Sequence, residues 1–224
     1  MNMTEIAKRK RGKLIAIEGA ENTGKRETAI QLCNKLKEDG IPVIFFEYPR
    51  TSSSIGKLIH HHMKRRIKLS DETLHLLLAA NRWENNRNIL SILQNGINII
   101  ITKYTYTSMA YSIAKGLSEE FCASSDIGLV EPDMTHCLTK FIRYEPLDEE
   151  SERIRLKVAD ELELFIAHIT TYNWSEWRNN REHWFSQFYS CVKEVINAPC
   201  DPEPKVFQTI FHRICHNCKD CFEG

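Results

Sequence analysis

The sequence predicts a three-layer α/β/α fold around a mainly parallel sheet. Three observations carry that expectation. Short, mostly apolar runs recur at 14–17, 43–46 and 97–101; segments of helical periodicity separate them; and a glycine-rich loop joins the first run to the first helix. Strands whose residues are apolar in succession, instead of alternating, are buried on both faces, as parallel strands covered by helices are.

Leu14-Ile15-Ala16-Ile17 is the first strand. The next stretch, Gly19-Ala-Glu-Asn-Thr-Gly24-Lys25, has the spacing Gly-x4-Gly-Lys. A strand, a glycine-rich turn and a helix N-terminus bring backbone amides and one lysine to bear on a polyphosphate, so this is read as a P-loop. Ser or Thr ordinarily follows and offers Mg²⁺ a hydroxyl; here Arg26 follows, and a guanidinium has no lone pair to offer. Ala29, Leu32, Cys33 and Leu36 recur at helical spacing, placing a helix over 28–37 and completing a β-α-β unit with the second strand at 43–46. Gly40, Pro42 and Pro49 bound that strand. Asp71 opens a long helix whose Leu74, Leu77, Leu78, Asn81, Ile89, Ile92 and Leu93 largely hold one face, and Gly96 ends it. The third strand at 97–101 leads to a helix through Ala110 and Ala114 that stops at Gly116. A fourth strand is expected at 132–138, then a charged connection at 140–155, then two helices flanking a strand at 173–177.

Length and charge narrow the functional classes. A chain of 224 residues is enough for one large domain with its own core. With 30 basic and 30 acidic side chains the formal charge is zero, which gives no global reason to expect nucleic acid or an anionic membrane as partner. No apolar run reaches the length of about eighteen residues that a membrane span needs. Residues 1–12 are expected to be a solvated basic extension, 13–197 the folded domain, and 198–224 a Cys/His-rich appendage. The basic run Lys8-Arg9-Lys10-Arg11 has no apolar stretch before it, so it is no secretory signal. A cytoplasmic place follows, with a nuclear address as the other reading of the same run. Eight cysteines then imply thiols in a reducing compartment instead of a disulfide framework. In the tail, Cys215, Cys218 and Cys221 stand at a spacing that can ring one Zn²⁺, with His212, His216 or Cys200 as fourth ligand; a tail of plain thiols is the alternative.

Ala80-Asn-Arg-Trp-Glu84 belongs to a wider set of motifs that occur in one order: the loop at 18–25, Tyr48-Pro49 with Ile55-Gly56-Lys57-Leu58, Tyr104 with Ala110-Tyr111, and Gly128-Leu129 with Pro132-Asp133. On these residues the chain resembles thymidylate kinases of the eukaryotic and poxviral type, from about residue 12 to 133 and weakly on to 174. The resemblance implies the nucleoside monophosphate kinase fold and transfer of a phosphoryl group from ATP to dTMP, with Mg²⁺. It implies ATP phosphate binding by Gly19, Asn22, Thr23, Gly24, Lys25, Arg26 and Glu27. It implies dTMP binding by Glu21, Arg50, Leu78, Arg82, Lys103 and Tyr111, with Arg82 on the thymine edge and Tyr111 beside the sugar. Lys25 and Lys103 would be catalytic cations, joined by a lid arginine from about 140–155: Arg143, Arg153 or Arg155. A homodimer packed through helices is a further implication, and Trp83 is expected in the core.

The same resemblance locates departures. Arg26 and Glu27 replace the hydroxyl pair that closes the family's loop. Thr102-Lys103 replaces Asp-Arg, which exchanges a carboxylate for a hydroxyl and a bidentate clamp for a point charge. Thr51 stands at an arginine position, with Arg50 beside it as a substitute. Leu78 replaces the phenylalanine that stacks on thymine. Impaired dTMP phosphorylation is therefore expected; the alternative is a catalytically silent member that binds nucleotide or a partner as a scaffold.

Overall fold

A computed structural model describes residues 10–138, 148–166 and 180–208. Strands β1 (Leu14–Gly19), β2 (Val43–Glu47), β3 (Asn98–Thr102) and β4 (Met134–Leu138) form one sheet in the order β2-β3-β1-β4. All three pairings are parallel, as the apolar runs predicted. The helices are α1 (Lys25–Glu38), α2 (Ser54–Met63), α3 (Asp71–Gln94), α4 (Tyr106–Ala114), α5 (Glu119–Ser124), α6 (Glu149–Ile166) and α7 (Arg181–Asn197).

Side chains alternate along a strand, so each strand feeds two cores. Leu14, Ala16, Ile99 and Ile101 pack with Ile89 and Leu93 of α3, Met109 and Ala110 of α4, and Val158 and Leu162 of α6. Ile15, Ile17 and Ile100 pack on the opposite face with Leu32, Cys33 and Leu36 of α1 and Trp184, Phe188 and Val192 of α7. Burial on both faces is the reason these strands show no polar alternation. Burial also pushes the Cys33 thiol up to about 11, so it stays protonated and inert.

Local signals set the helix ends. The Ser70 hydroxyl caps α3 by accepting from the Thr73 amide at 3.2 Å, with Asp71 and Glu72 in the first turn. The Ser53 hydroxyl caps α2 by accepting from the Gly56 amide at 3.0 Å. A Cβ at Gly56 would stand 1.8 Å from the Arg50 carbonyl oxygen, so only glycine lets α2 close against the chain leaving β2.

Four expectations change. The connection predicted for 140–155 already contains the start of α6, because Asp148 accepts from the Ser151 amide at 2.9 Å and Glu149, Glu150 and Glu152 occupy the first turn. That acidic run is a helix start. Arg11, placed by sequence in a solvated extension, is buried: its guanidinium grips Asp133 at 2.8 and 2.7 Å, and the Asp133 carboxylate also accepts from the Leu14 amide. The appendage begins later than 198. Val206 makes an antiparallel bridge with Val130, and Phe207 is buried against Tyr106. Trp83 is 42% exposed, its indole N–H donating to the Ser125 carbonyl at 2.9 Å. The strand expected at 173–177 lies outside the described residues. No helix among the described residues is long and apolar enough to cross a membrane.

Candidate nucleotide site

The carboxyl ends of β1, β2 and β3 meet at one edge of the sheet, where ligands of open parallel sheets bind. The loop leaving β1 turns on Gly19 (φ 147), Asn22 (φ 59) and Gly24 (φ 80). A Cβ at Gly19 would lie 2.4 Å from the Leu138 carbonyl oxygen, so β4 can pair to the very end of β1 only past a glycine. The buried Glu18 carboxylate ties this loop to α4, accepting from the Thr105 and Thr107 amides at 3.1 and 3.2 Å and from the Thr107 hydroxyl. Burial pushes the Glu18 carboxyl up, against the pull of those bonds.

Lys25 folds back over the loop. Its ammonium donates to the Ala20 carbonyl and, at 3.2 Å, to the Thr23 hydroxyl. Burial first, and the neighbouring Lys103 second, pull it down to about 8. Arg26 does not join it. The Arg26 guanidinium reaches across to the Glu47 carboxylate at the end of β2 and lies 5.8 Å from the centre of the Phe45 ring. Lys103 approaches the other Glu47 oxygen at 3.5 Å. Glu47 is the cross-strand neighbour of Thr102, so a carboxylate stands one strand away from the position that sequence analysis found empty of one.

This donor set does not fit Mg²⁺, which takes oxygen ligands in near-octahedral array. Position 26 supplies a guanidinium. Thr102 is fully buried, and its hydroxyl has no hydrogen-bond partner among the described residues. Both Glu47 oxygens already hold cations. Among the described residues, no three His, Cys, Asp or Glu side chains are placed to hold a metal; the zinc candidates Cys215, Cys218, Cys221 and His212 lie outside them, and Cys200 rests against the Arg11 carbonyl.

A cavity of about 890 Å³ opens beside the loop and brings together Gly19, Glu21, Lys25, Leu78, Arg82, Lys103 and Tyr111. It continues past Leu74 and Ile67 to Arg65, Arg66 and Lys68 in the turn between α2 and α3, so a basic run that the sequence offers only as a solvated face forms a cationic rim of the cavity. Burial first, and the neighbouring Glu21 carboxylate second, push the Tyr111 phenol up, against the pull of the Glu21 backbone and of the Arg155 charge nearby. Arg82 is no surface residue. Its Nε and Nη2 donate to Asp126 at 2.9, 2.7 and 2.8 Å, while Nη1 donates to the Tyr104 carbonyl at 3.2 Å and the Ser108 hydroxyl at 2.8 Å. A base carbonyl would have to share one of those hydrogens. Asp126 carries no motif signal, so the sequence could not reveal this partner.

Other candidates are held apart from the cavity. Asn81 fixes the Arg50 backbone, accepting from its amide at 2.7 Å and donating to its carbonyl at 3.2 Å, but the Arg50 guanidinium lies 4.7 Å above the Phe46 ring. Arg153 is exposed and paired with Glu150 at 2.7 Å. Arg155 is 2% exposed and paired with Glu152, and Arg143 lies outside the described residues. Of the described lid arginines, Arg155 is therefore the one close to Tyr111.

A parallel sheet with a P-loop after its first strand, and a cavity between that loop and the long third helix, defines the nucleoside monophosphate kinase class of P-loop proteins. The family model of thymidylate kinase matches residues 17–184. The chain belongs to the thymidylate kinase family. Among relatives, it is 37% identical over 129 residues to the thymidylate kinase of Schizosaccharomyces pombe, covering 58% of this chain and 61% of that one. It is 30% identical over 199 residues to that of Plasmodium falciparum, covering 87% of this chain and 95% of that one. The match thus spans under two thirds of some relatives and nearly all of others. In three dimensions the chain resembles the thymidylate kinase of Candida albicans with a TM-score of 0.70 at 24% identity, over 88% of this chain and 98% of that one.

Proposed function

We propose that the chain transfers the γ-phosphoryl group of ATP to dTMP, giving dTDP and ADP, with turnover below that of the unaltered site. The observation that carries this reading is the continuous cavity from Lys25 in the phosphate loop to Leu78, Arg82 and Tyr111 on α3 and α4. In the step, an oxygen of the dTMP phosphate bonds to the γ-phosphorus as the bond to the β,γ-bridging oxygen breaks. Such transfer is mainly positioning and charge neutralisation. Loop amides from Asn22 onward and Lys25 would hold the triphosphate, Lys103 the acceptor phosphate, and Leu78 and Tyr111 the base and sugar. Arg155 would bring the lid's charge. The reactants are dissolved anions, which suits a cytoplasmic place of work.

The lost carboxylate at 102, the lost fork at 103 and the lost hydroxyl at 26 would each cost on the order of 10²–10³ in rate if independent. Groups acting on one centre fail together, so the costs do not multiply. The ion pair between Arg26 and Glu47 favours a second reading, a nucleotide-binding scaffold without turnover.

A coupled ADP-release assay with dTMP, dUMP and no acceptor separates the two. Slow dTMP-dependent release that rises in the Arg26→Ser/Thr102→Asp variant supports the kinase. ATP binding without dTMP-dependent release in either protein supports the scaffold. Wild-type turnover at the usual kinase rate of about 1–100 per second would refute impairment.

A further inference from the structure

We propose that Arg26 takes the electrostatic place of the divalent cation on a bound triphosphate, so that ATP binding by this chain needs no Mg²⁺. The inference rests on the reading of the loop as a triphosphate site.

Four observations support it. Arg26 directly follows Lys25 in the first turn of α1, where backbone amides and the helix dipole already favour an anion. Its side chain is 57% exposed and that of Glu47 27%, so water screens the pair and its exchange costs little. Glu47 also holds Lys103, at 3.5 Å, and Lys103 lines the cavity; the Arg26 head is therefore one carboxylate away from the cavity wall. When Arg26 leaves, Glu47 keeps a counterion and no charge is stranded. Finally, a dication seated at this loop would find a guanidinium at 26 and a buried hydroxyl at 102, and would be repelled by the first.

The exchange has a direction. A single carboxylate offers one negative charge, whereas a triphosphate offers several, spread over oxygens that a guanidinium fork grips two at a time. Lys25 and Arg26 then supply two positive charges to it, while Lys103 stays with Glu47. Glu47 holds Arg26 in the empty protein and releases it to the phosphates.

Calorimetric titration of ATP into the full chain, in EDTA and in millimolar Mg²⁺, tests this, with ligand-free unfolding of each variant confirming that it folds. Wild type is expected to bind about equally in both buffers. Arg26→Ser is expected to bind on the order of tenfold to a hundredfold more weakly in EDTA, the loss of a charged hydrogen bond, and to recover when Mg²⁺ is added. Glu47→Gln is expected to bind more tightly than wild type in EDTA, because the competing carboxylate is gone. Wild-type binding that requires Mg²⁺ overturns the inference and leaves the nucleotide site standing, as does an Arg26→Ser protein that binds as well as wild type in EDTA. No ATP binding in either buffer overturns both.

Discussion

Two arginine–carboxylate pairs flank the cavity, and they behave differently. Arg82 and Asp126 are 1% and 0% exposed, and Nε, Nη1 and Nη2 of Arg82 all donate to Asp126, Tyr104 or Ser108. Arg26 and Glu47 are 57% and 27% exposed, and Glu47 is shared with Lys103. Burial decides the difference. A desolvated charge cannot leave its partner without a large penalty, so the first pair belongs to the scaffold. A solvated one can trade one oxygen for another, so the second pair is available to a ligand. The Arg82 end of the cavity is thus held rigid, and the Arg26 pair beside the loop is free to rearrange.

Breaking the closed pair should have the largest effect. Asp126→Asn leaves Arg82 buried without a counterion and is expected to cost about 3–5 kcal/mol in denaturant unfolding, whereas Arg82→Leu with Asp126→Leu should recover a good part of that. A loss below about 1 kcal/mol for the single change would mean the pair is not the closed one described.

Lys25 comes next, through pH. Its pKa falls from 10.5 to about 8 in the folded state, so below pH 8 the fold carries a charged, buried lysine in disfavour. Between pH 8 and 10.5 the folded form releases that proton while the unfolded form keeps it, and the penalty fades. Lys25→Met should therefore stabilise the ligand-free protein by up to about 3 kcal/mol below pH 8, with the gain vanishing as pH approaches 10.5. Thermal unfolding of both proteins across that range is the check; a gain that grows with pH would contradict the assignment.

Leu78→Phe restores a stacking surface on the rigid side and should tighten dTMP binding by about 1–3 kcal/mol, read by titration. Unchanged affinity would place the base elsewhere in the cavity. The smallest stability effect belongs to the open pair: Glu47→Gln should stay within about 1 kcal/mol of wild type in unfolding, even though it alters ATP binding.

The strands, the long α3 and the phosphate loop were legible because each announces itself locally, through apolar runs, Leu periodicity from Leu74 to Leu93, and glycines flanking Lys25. The start of α6 was misread because acidic residues at 149–152 resemble a solvated connection until Asp148 is seen to cap them. Arg11 and Phe207 were misassigned to extensions for another reason. Their partners, Asp133 and Tyr106, are about a hundred residues away, and no local pattern records such a contact.

What the chain's sequence determined alone was the four strands, helices α1, α3 and α4, the phosphate loop, and through them the fold and family, since periodicity and glycine placement act over a few residues. What only the tertiary structure decided was the counterion of each charge: Asp126 for Arg82, Asp133 for Arg11, Glu47 for Arg26 and Lys103. Coulomb attraction depends on distance in space and on exclusion of water, and both are settled only when the sheet closes and aligns Glu47 beside Thr102.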